Sequence, residues 1–248
     1  MIECVNAAKL FNETAGIKNI NLQFLPGIIY GIIGYNGAGK TTLLRCIEGL
    51  YLPTSGCVYH NGVKTSDQKD FFPIRKRIAF LPTEDYLYNR LTCMDNIELA
   101  TILRTGKNKI LKETSKLIKY FEVNSFLNKR FKDCSTGMKK KVQLIISLIG
   151  EIDTIIWDEP NDGLDIVSNI KIKNLLNYYK SKNVTILFSC HVIEFLDNFI
   201  DYCFLLKDGS VVEAMEVKNV NSLNELYISH INKDDLIFPF NNDIKNDG

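Results

Sequence analysis

The residues best suited to chemistry are glycines grouped around a lysine and two hydroxyls: Gly34-Tyr35-Asn36-Gly37-Ala38-Gly39-Lys40-Thr41-Thr42. In this G-x-x-x-x-G-K-T spacing, Gly34, Gly37 and Gly39 let the main chain curl until its N–H groups point at one spot, which suits a phosphate chain. Lys40 can then reach the β and γ phosphates of ATP as a point charge, and the Thr41 hydroxyl is placed to ligate the accompanying Mg²⁺. A second set lies far along the chain, where the apolar run Thr154-Ile155-Ile156-Trp157 ends in Asp158-Glu159-Pro160. A carboxylate at the end of a buried strand holds Mg²⁺ through its water shell, the part given to Asp158. Glu159 is then free to orient or deprotonate the attacking water. Alone, each set has a plainer reading, a connecting turn or a strand ending at the surface. Together they read as a nucleoside triphosphatase.

The elements that must position these groups follow from the surrounding pattern. The apolar run 28–33 predicts a strand into the glycine loop, and 43–47 a helix out of it whose positive end faces the same anion. Alternating segments at 1–5 and 20–24, with a hairpin around His60-Asn61-Gly62, predict a small antiparallel sheet near the N-terminus. Ile78-Ala79-Phe80-Leu81 reads as a strand, after which apolar residues at three- and four-residue spacing predict helices over 94–104 and 110–121. Strands return at 154–157, 184–188 and 203–206, alternating with helical stretches at 168–182 and 192–199. Such alternation predicts an α/β fold with a mostly parallel sheet covered on both faces. The expected organisation is one ATPase domain over 1–213, with a helical insertion at about 85–150, and an appended segment and loose tail over 214–248.

Composition narrows the partners. Lys+Arg 30 against Asp+Glu 29 leaves a net charge of +1, which gives no electrostatic reason to expect nucleic acid. The runs Arg75-Lys76-Arg77 and Lys139-Lys140-Lys141 read as solvated faces. Seven cysteines without C-x-x-C pairs make neither a disulfide framework nor a zinc site, and read as free thiols in a reducing cytosol. The first residues lack the basic start and apolar core of a secretory leader. Apolar stretches such as 142–149 fall far short of a membrane span, so any work at a membrane needs another chain to cross it.

Between the two chemical sets lies Cys134-Ser135-Thr136-Gly137-Met138, and with it the chain resembles the ATP-binding subunit of an ABC transporter over about residues 1–209. The phosphate loop, this signature and the Asp-Glu-Pro strand end occur in that family's order. The resemblance implies a P-loop core with an antiparallel β subdomain and an inserted helical subdomain. It implies that Ser135 and Gly137 open a helix whose N–H groups face the γ-phosphate bound by a second ATP-binding subunit, although Ser135 alone is also a good N-cap. Asp165, in Asn161-Asp162-Gly163-Leu164-Asp165, matches a residue at the dimer seam. His191, in Phe188-Ser189-Cys190-His191, matches the switch histidine that contacts the γ-phosphate. Phe11 sits where the family stacks an aromatic ring on adenine.

Two departures stand out. Thr136 and Met138 replace a glycine and the glutamine of the commonest signature, a form resembling an exporter-enriched branch. Thr83 stands where the family has a Mg²⁺-contacting glutamine, with Glu84 next to it as the candidate stand-in. The resemblance therefore implies an ATPase that pairs around ATP, as homodimer or heterodimer, and drives an integral membrane subunit, with a lean to export. It would sit on the inner face of the cell membrane through that partner. Two other uses of the machinery stay open at this point: a soluble ATPase with a non-transport role, and an ATP-gated module with little hydrolysis.

Overall fold

The computed structural model describes residues 1–11, 16–191, 193–196 and 199–219. Its strands are β1 (Ile2–Leu10), β2 (Gly16–Phe24), β3 (Ile29–Ile33), β4 (Ser55–His60), β5 (Val63–Lys64), β6 (Ile78–Leu81), β7 (Thr154–Asp158), β8 (Thr185–Ser189), β9 (Tyr202–Lys207) and β10 (Ser210–Glu216). Its helices are α1 (Lys40–Glu48), α2 (Gln68–Arg75), α3 (Cys93–Thr105), α4 (Lys112–Tyr120), α5 (Thr136–Ser147), α6 (Ile166–Ser181) and α7 (Ile193–Leu196). Two sheets result, one antiparallel in the order β2-β1-β4-β5 and one in the order β10-β9-β3-β8-β7-β6. Among the described residues of the second sheet, only the β9–β10 pair is antiparallel.

β3, β7 and β8 are buried along their whole length, and alternate residues feed two cores, as a pleated strand requires. Ile29, Ile33, Ile155, Trp157, Ile186 and Phe188 face one cluster, shared with residues of α3, α4, α5 and α6. Tyr30, Ile32, Ile156 and Leu187 face the other, shared with α1 and the antiparallel sheet. Trp157 and Phe188 are register partners and fully buried; truncating Phe188 to alanine would cost about 3–5 kcal/mol. That packing fixes the next register pair along, Asp158 and Ser189, where the chemistry begins.

The hairpin at Asn61-Gly62 has both residues at positive φ, 50° and 82°, the backbone a tight two-residue turn demands. Between β6 and β7 the chain is helical, with α3 started by a reciprocal capping box of Thr92 and Asp95. α2, with Pro73 inside it, has no counterpart among the helices read from the sequence. β10 runs through Glu216, past residue 214 where the appended segment was expected to begin. The reason is that β9 offers an edge, on which Ala214, Met215 and Glu216 pair with Phe204, Cys203 and Tyr202. The expected tail beyond residue 219, and parts of the stretch 192–199, lie outside the described residues. Among the described residues no helix is long and apolar enough to cross a membrane.

Candidate active site

β3, β8 and β7 are parallel neighbours, so the residues that follow their carboxyl ends meet at one edge of the sheet, where open α/β sheets bind ligands. The glycine loop follows β3, Asp158 and Glu159 end β7, and Ser189 and His191 end β8. Gly39 caps α1 at φ 104° and offers no side chain to its first turn. The N–H groups there are left for an anion. A Cβ on Gly39 would come within 2.8 Å of the Gly16 carbonyl oxygen, so the loop lies flush against the start of β2. Ala38 is buried, while Tyr35, Asn36 and Gly37 form the exposed crown of the loop and Thr42 is half-buried behind it.

Lys40 is buried, and its ammonium donates to the carbonyls of Gly34 at 2.7 Å and Tyr35 at 3.2 Å. It also lies 3.9 Å from Glu159 Oε1. Burial pulls its pKa down, against the opposing charges of Glu159 and Asp158. The Thr41 hydroxyl donates to Asp158 Oδ2 at 2.6 Å, and the Ser189 hydroxyl donates to Asp158 Oδ1. Both oxygens of a buried carboxylate are thereby oriented, and the Thr41–Asp158 pair forms a hard oxygen donor set suited to Mg²⁺.

Glu159 has φ 50°, a left-handed conformation uncommon outside glycine, of the kind that clusters at active sites. Bonds on both sides hold it: its N–H donates to Ser189 Oγ at 2.9 Å, and its carbonyl accepts from Lys140 Nζ at 3.3 Å. Its side chain lies 3.4 Å from His191 Nδ1, while His191 Nε2 is 3.8 Å from Asp162 Oδ1. Burial, then the hydrogen bond and charge of Asp162, push the Glu159 pKa up, with His191 and Lys40 opposing. A carboxylate made more basic in this way suits proton abstraction.

Ser135 caps α5, its hydroxyl accepting from Met138 N–H at 3.3 Å. A Cβ on Gly137 would lie 2.8 Å from the Gly163 carbonyl oxygen, so the signature loop packs directly on the segment after Glu159. Asp165 caps α6 by accepting from Ser168 N–H at 2.7 Å, which holds its pKa down. Lys141 Nζ approaches the same carboxylate at 3.8 Å. Phe11 is half exposed just beyond β1 and meets Tyr51 edge-on at 5.3 Å, with Lys9 Nζ 5.6 Å from its ring centre.

A sequence model of the family described as ABC transporter matches residues 17–162. The chain belongs to the ABC transporter family. The ABC transporter ATP-binding protein NatA of Bacillus subtilis is 30% identical over 243 residues, spanning 93% of this chain and 98% of that one. The lantibiotic transport ATP-binding protein SrtF of Streptococcus pyogenes is 28% identical over 93% of this chain and 97% of its own length. A Bacillus subtilis relative named as the SkfA peptide export ATP-binding protein SkfE is 28% identical, covering 88% and 90%. A solved ATP-binding subunit of an ABC transporter superposes with a TM-score of 0.81 at 25% identity, over 92% of this chain and 98% of that chain. A dimeric cassette in a post-hydrolysis state with ADP and Pi superposes with a TM-score of 0.78 at 27% identity, over 88% and 99%. This chain is an ATP-binding, ATP-hydrolysing ABC subunit.

In this ABC ATPase the lysine run is not a solvated face. Lys139 pairs with Asp85 at 2.8 Å, Lys140 is buried against the Glu159 carbonyl, and Lys141 faces Asp165. α5 turns each lysine toward an oxygen that the linear sequence keeps far away. Arg75 and Arg77 likewise carry acidic partners, Glu48 at 2.9 Å and Asp153 at 2.5 Å. Glu84 is also engaged elsewhere: Arg45 Nη2 reaches both of its carboxylate oxygens at 2.6 Å. Burial, the largest single influence, would raise the Glu84 pKa, but the Arg45 bond, a backbone N–H and the Arg45 charge together hold the carboxyl down. Thr83 is exposed.

Sequence reasoning missed Ser189, Lys140, Asp162 and the Tyr35–Asp208 pair. The Tyr35 hydroxyl donates to Asp208 in the β9–β10 turn, and Gly209 N–H donates to the Ala38 carbonyl at 3.0 Å, so that turn braces the phosphate loop. Ser189 carried a signal, since it stands two residues before His191 at the end of a predicted strand. Asp162 lies in the turn three residues after Glu159, whereas Lys140 on α5 and Asp208 in the β9–β10 turn are brought in by tertiary packing.

Proposed function

We propose that this ABC ATPase subunit closes around ATP with a second ATP-binding subunit, a copy of itself or a different chain, and drives an integral membrane partner that exports a cargo. The observation that supports the reading best is the meeting of Lys40, Thr41, Asp158, Glu159 and His191 at adjacent strand ends. Export draws support from the relative named for peptide export and from the Ser135-Thr136-Gly137-Met138 form of the signature. Through the membrane partner the subunit would sit on the inner face of the membrane.

In this mechanism the α1 N-terminus and Lys40 hold the β and γ phosphates, and Phe11 offers its exposed ring to the adenine. Thr41 and Asp158 would hold Mg²⁺, which when bound supplies positive charge to the phosphoryl oxygens. Glu159 takes the proton of the attacking water, with His191 beside its carboxylate. Ser135, Gly137 and Asp165 form the surface offered to the other subunit. Most of the rate enhancement then comes from positioning and charge stabilisation.

The test is to look for a neighbouring gene that encodes a membrane protein, produce the chain with that protein, and compare wild type with Lys40→Ala. Wild type should purify with that protein and support ATP-dependent loss of cargo from cells, whereas the variant should assemble and transport nothing. Full transport by Lys40→Ala, or an ATPase that never associates with a membrane protein, would overturn the reading.

A further inference from the structure

Cys134, the residue just before Ser135, places its Sγ 3.5 Å from the Sγ of Cys93, which lies 41 positions earlier at the start of α3. Backbone bonds stitch the start of α3 to the segment that leads into Cys134. Cys93 N–H donates to the Lys129 carbonyl at 3.0 Å, Met94 N–H to Leu127 at 2.9 Å and Phe131 N–H to Leu91 at 2.9 Å. Thr92 and Arg130 form an antiparallel bridge. Closing the sulfur gap to the bond length of a disulfide, about 2.05 Å, asks for side-chain rotation within a scaffold that already holds both backbones.

We propose that Cys93 and Cys134 form a peroxide-oxidisable dithiol site whose disulfide ties the signature loop to α3 and slows ATP hydrolysis. The two cysteines divide the work by exposure. Cys134 is 8% exposed and Cys93 fully buried, so Cys134 meets the oxidant first and Cys93, 3.5 Å away, is the resolving partner. Burial pushes the Cys93 thiol up to about 12, which keeps it protonated and makes that second attack the slow step. The Cys134 sulfur attacks one oxygen of hydrogen peroxide, the O–O bond breaks, and water leaves to give the sulfenic acid. The Cys93 sulfur then attacks the Cys134 sulfur, forming the S–S bond and releasing a second water. Two thiols and one peroxide become one disulfide and two waters, so both sulfurs are oxidised and both peroxide oxygens reduced. In a reducing compartment thiol exchange would restore the pair, as befits a transient signal rather than a structural bridge.

The effect on hydrolysis rests on the proposed role of Ser135 toward the second subunit; formation of the disulfide does not. The isolated full chain, with Cys57→Ser removing a half-exposed thiol on β4, is treated with hydrogen peroxide and digested without reductant. A linked peptide pair carrying Cys93 and Cys134, lighter by two hydrogens, is expected, together with a rise of several degrees in Tm that dithiothreitol reverses. Cys93→Ser should instead leave Cys134 as a sulfenic acid that dimedone labels. A linkage that forms only after denaturation, or not at all, would overturn the site. In the assembled transporter, peroxide should lower ATPase several-fold in wild type and leave Cys93→Ser unaffected. If the linked peptide forms while ATPase is unchanged, the claim of control over the signature loop falls.

Discussion

The buried ammonium of Lys140 on α5 donates to the backbone carbonyl of Glu159 at 3.3 Å, so the helix that carries the signature grips the residue placed as catalytic base. Burial pulls the Lys140 pKa down, opposed first by Asp162 and then by Asp158, Asp85 and Glu159. Replacing Lys140 with methionine keeps most of the volume and removes the grip. A hydrogen bond to a charged group is worth about 1.5–3 kcal/mol, so turnover should fall by about ten- to a hundredfold with ATP affinity retained. Steady-state ATPase and nucleotide titration separate the two. A loss of affinity with normal turnover would mean that Lys140 serves the nucleotide and not Glu159.

Glu159→Gln keeps the shape of the side chain and loses the base, so ATP should remain bound while cleavage slows by about a hundredfold or more. The trapped nucleotide should hold two subunits together. Size-exclusion chromatography with ATP and Mg²⁺ checks this, and a monomer under those conditions would count against the paired site.

Ser135→Arg should abolish hydrolysis while the isolated subunit binds ATP as before, because Ser135 is exposed and is assigned to the other subunit's nucleotide. The serine also caps α5, so its replacement should lower stability by about 1 kcal/mol. Comparison with Ser135→Ala, which loses the cap but adds no bulk, separates the two effects. If monomer affinity collapses in the arginine variant alone, Ser135 serves its own chain's site.

The two guanidinium contacts of Glu84 bear on the metal. With Arg45 already holding the carboxylate, Glu84→Ala should leave the Mg²⁺ dependence of hydrolysis unchanged. Because Glu84 is 63% exposed, the loss in stability should not exceed about 1 kcal/mol. Titrating Mg²⁺ against activity for Glu84→Ala and Thr83→Ala decides the matter. A clear rise in the Mg²⁺ requirement for the first variant alone would restore Glu84 as a ligand.

His60 provides a pH test remote from the site. It is buried with Nε2 2.7 Å from the Ile47 carbonyl and its ring against Phe71. Burial lowers its pKa to about 4, from about 6.5 in an unfolded chain. The unfolded state thus takes up the proton first, and the stabilising contribution present above pH 6.5 is lost as pH falls toward 4. The loss should approach roughly 3 kcal/mol across that window. Denaturant unfolding of wild type and His60→Gln over this range should show a steeper decline for wild type, and parallel curves would refute the assignment.

The sequence by itself determined the parts whose chemistry is local. A phosphate loop must be contiguous because its donors are successive backbone N–H groups, so Gly34 to Thr42 could be read as written. Asp158 and Glu159 were legible because a buried strand announces its end by a change from apolar to acidic residues. Ser135 announced the start of α5 as any N-cap does. The alternation of strands with helical stretches gave the parallel sheet, since helices then cover both faces of it.

Tertiary structure alone decided which distant groups meet. The order β3-β8-β7 sets Ser189 against Asp158, a separation of 31 residues, and the β9–β10 turn sets Asp208 against Tyr35, 173 residues away. The same cause turned Lys140 inward, gave Glu84 to Arg45, and brought the Cys93 and Cys134 sulfurs together. Helical spacing tells which residues share a face of α5, but only the packed neighbours tell that face what it touches. A charged run looks solvated in sequence because its partners come from other strands and loops, brought near by burial of Trp157, Phe188 and their neighbours, which carry no mark of the charges they align.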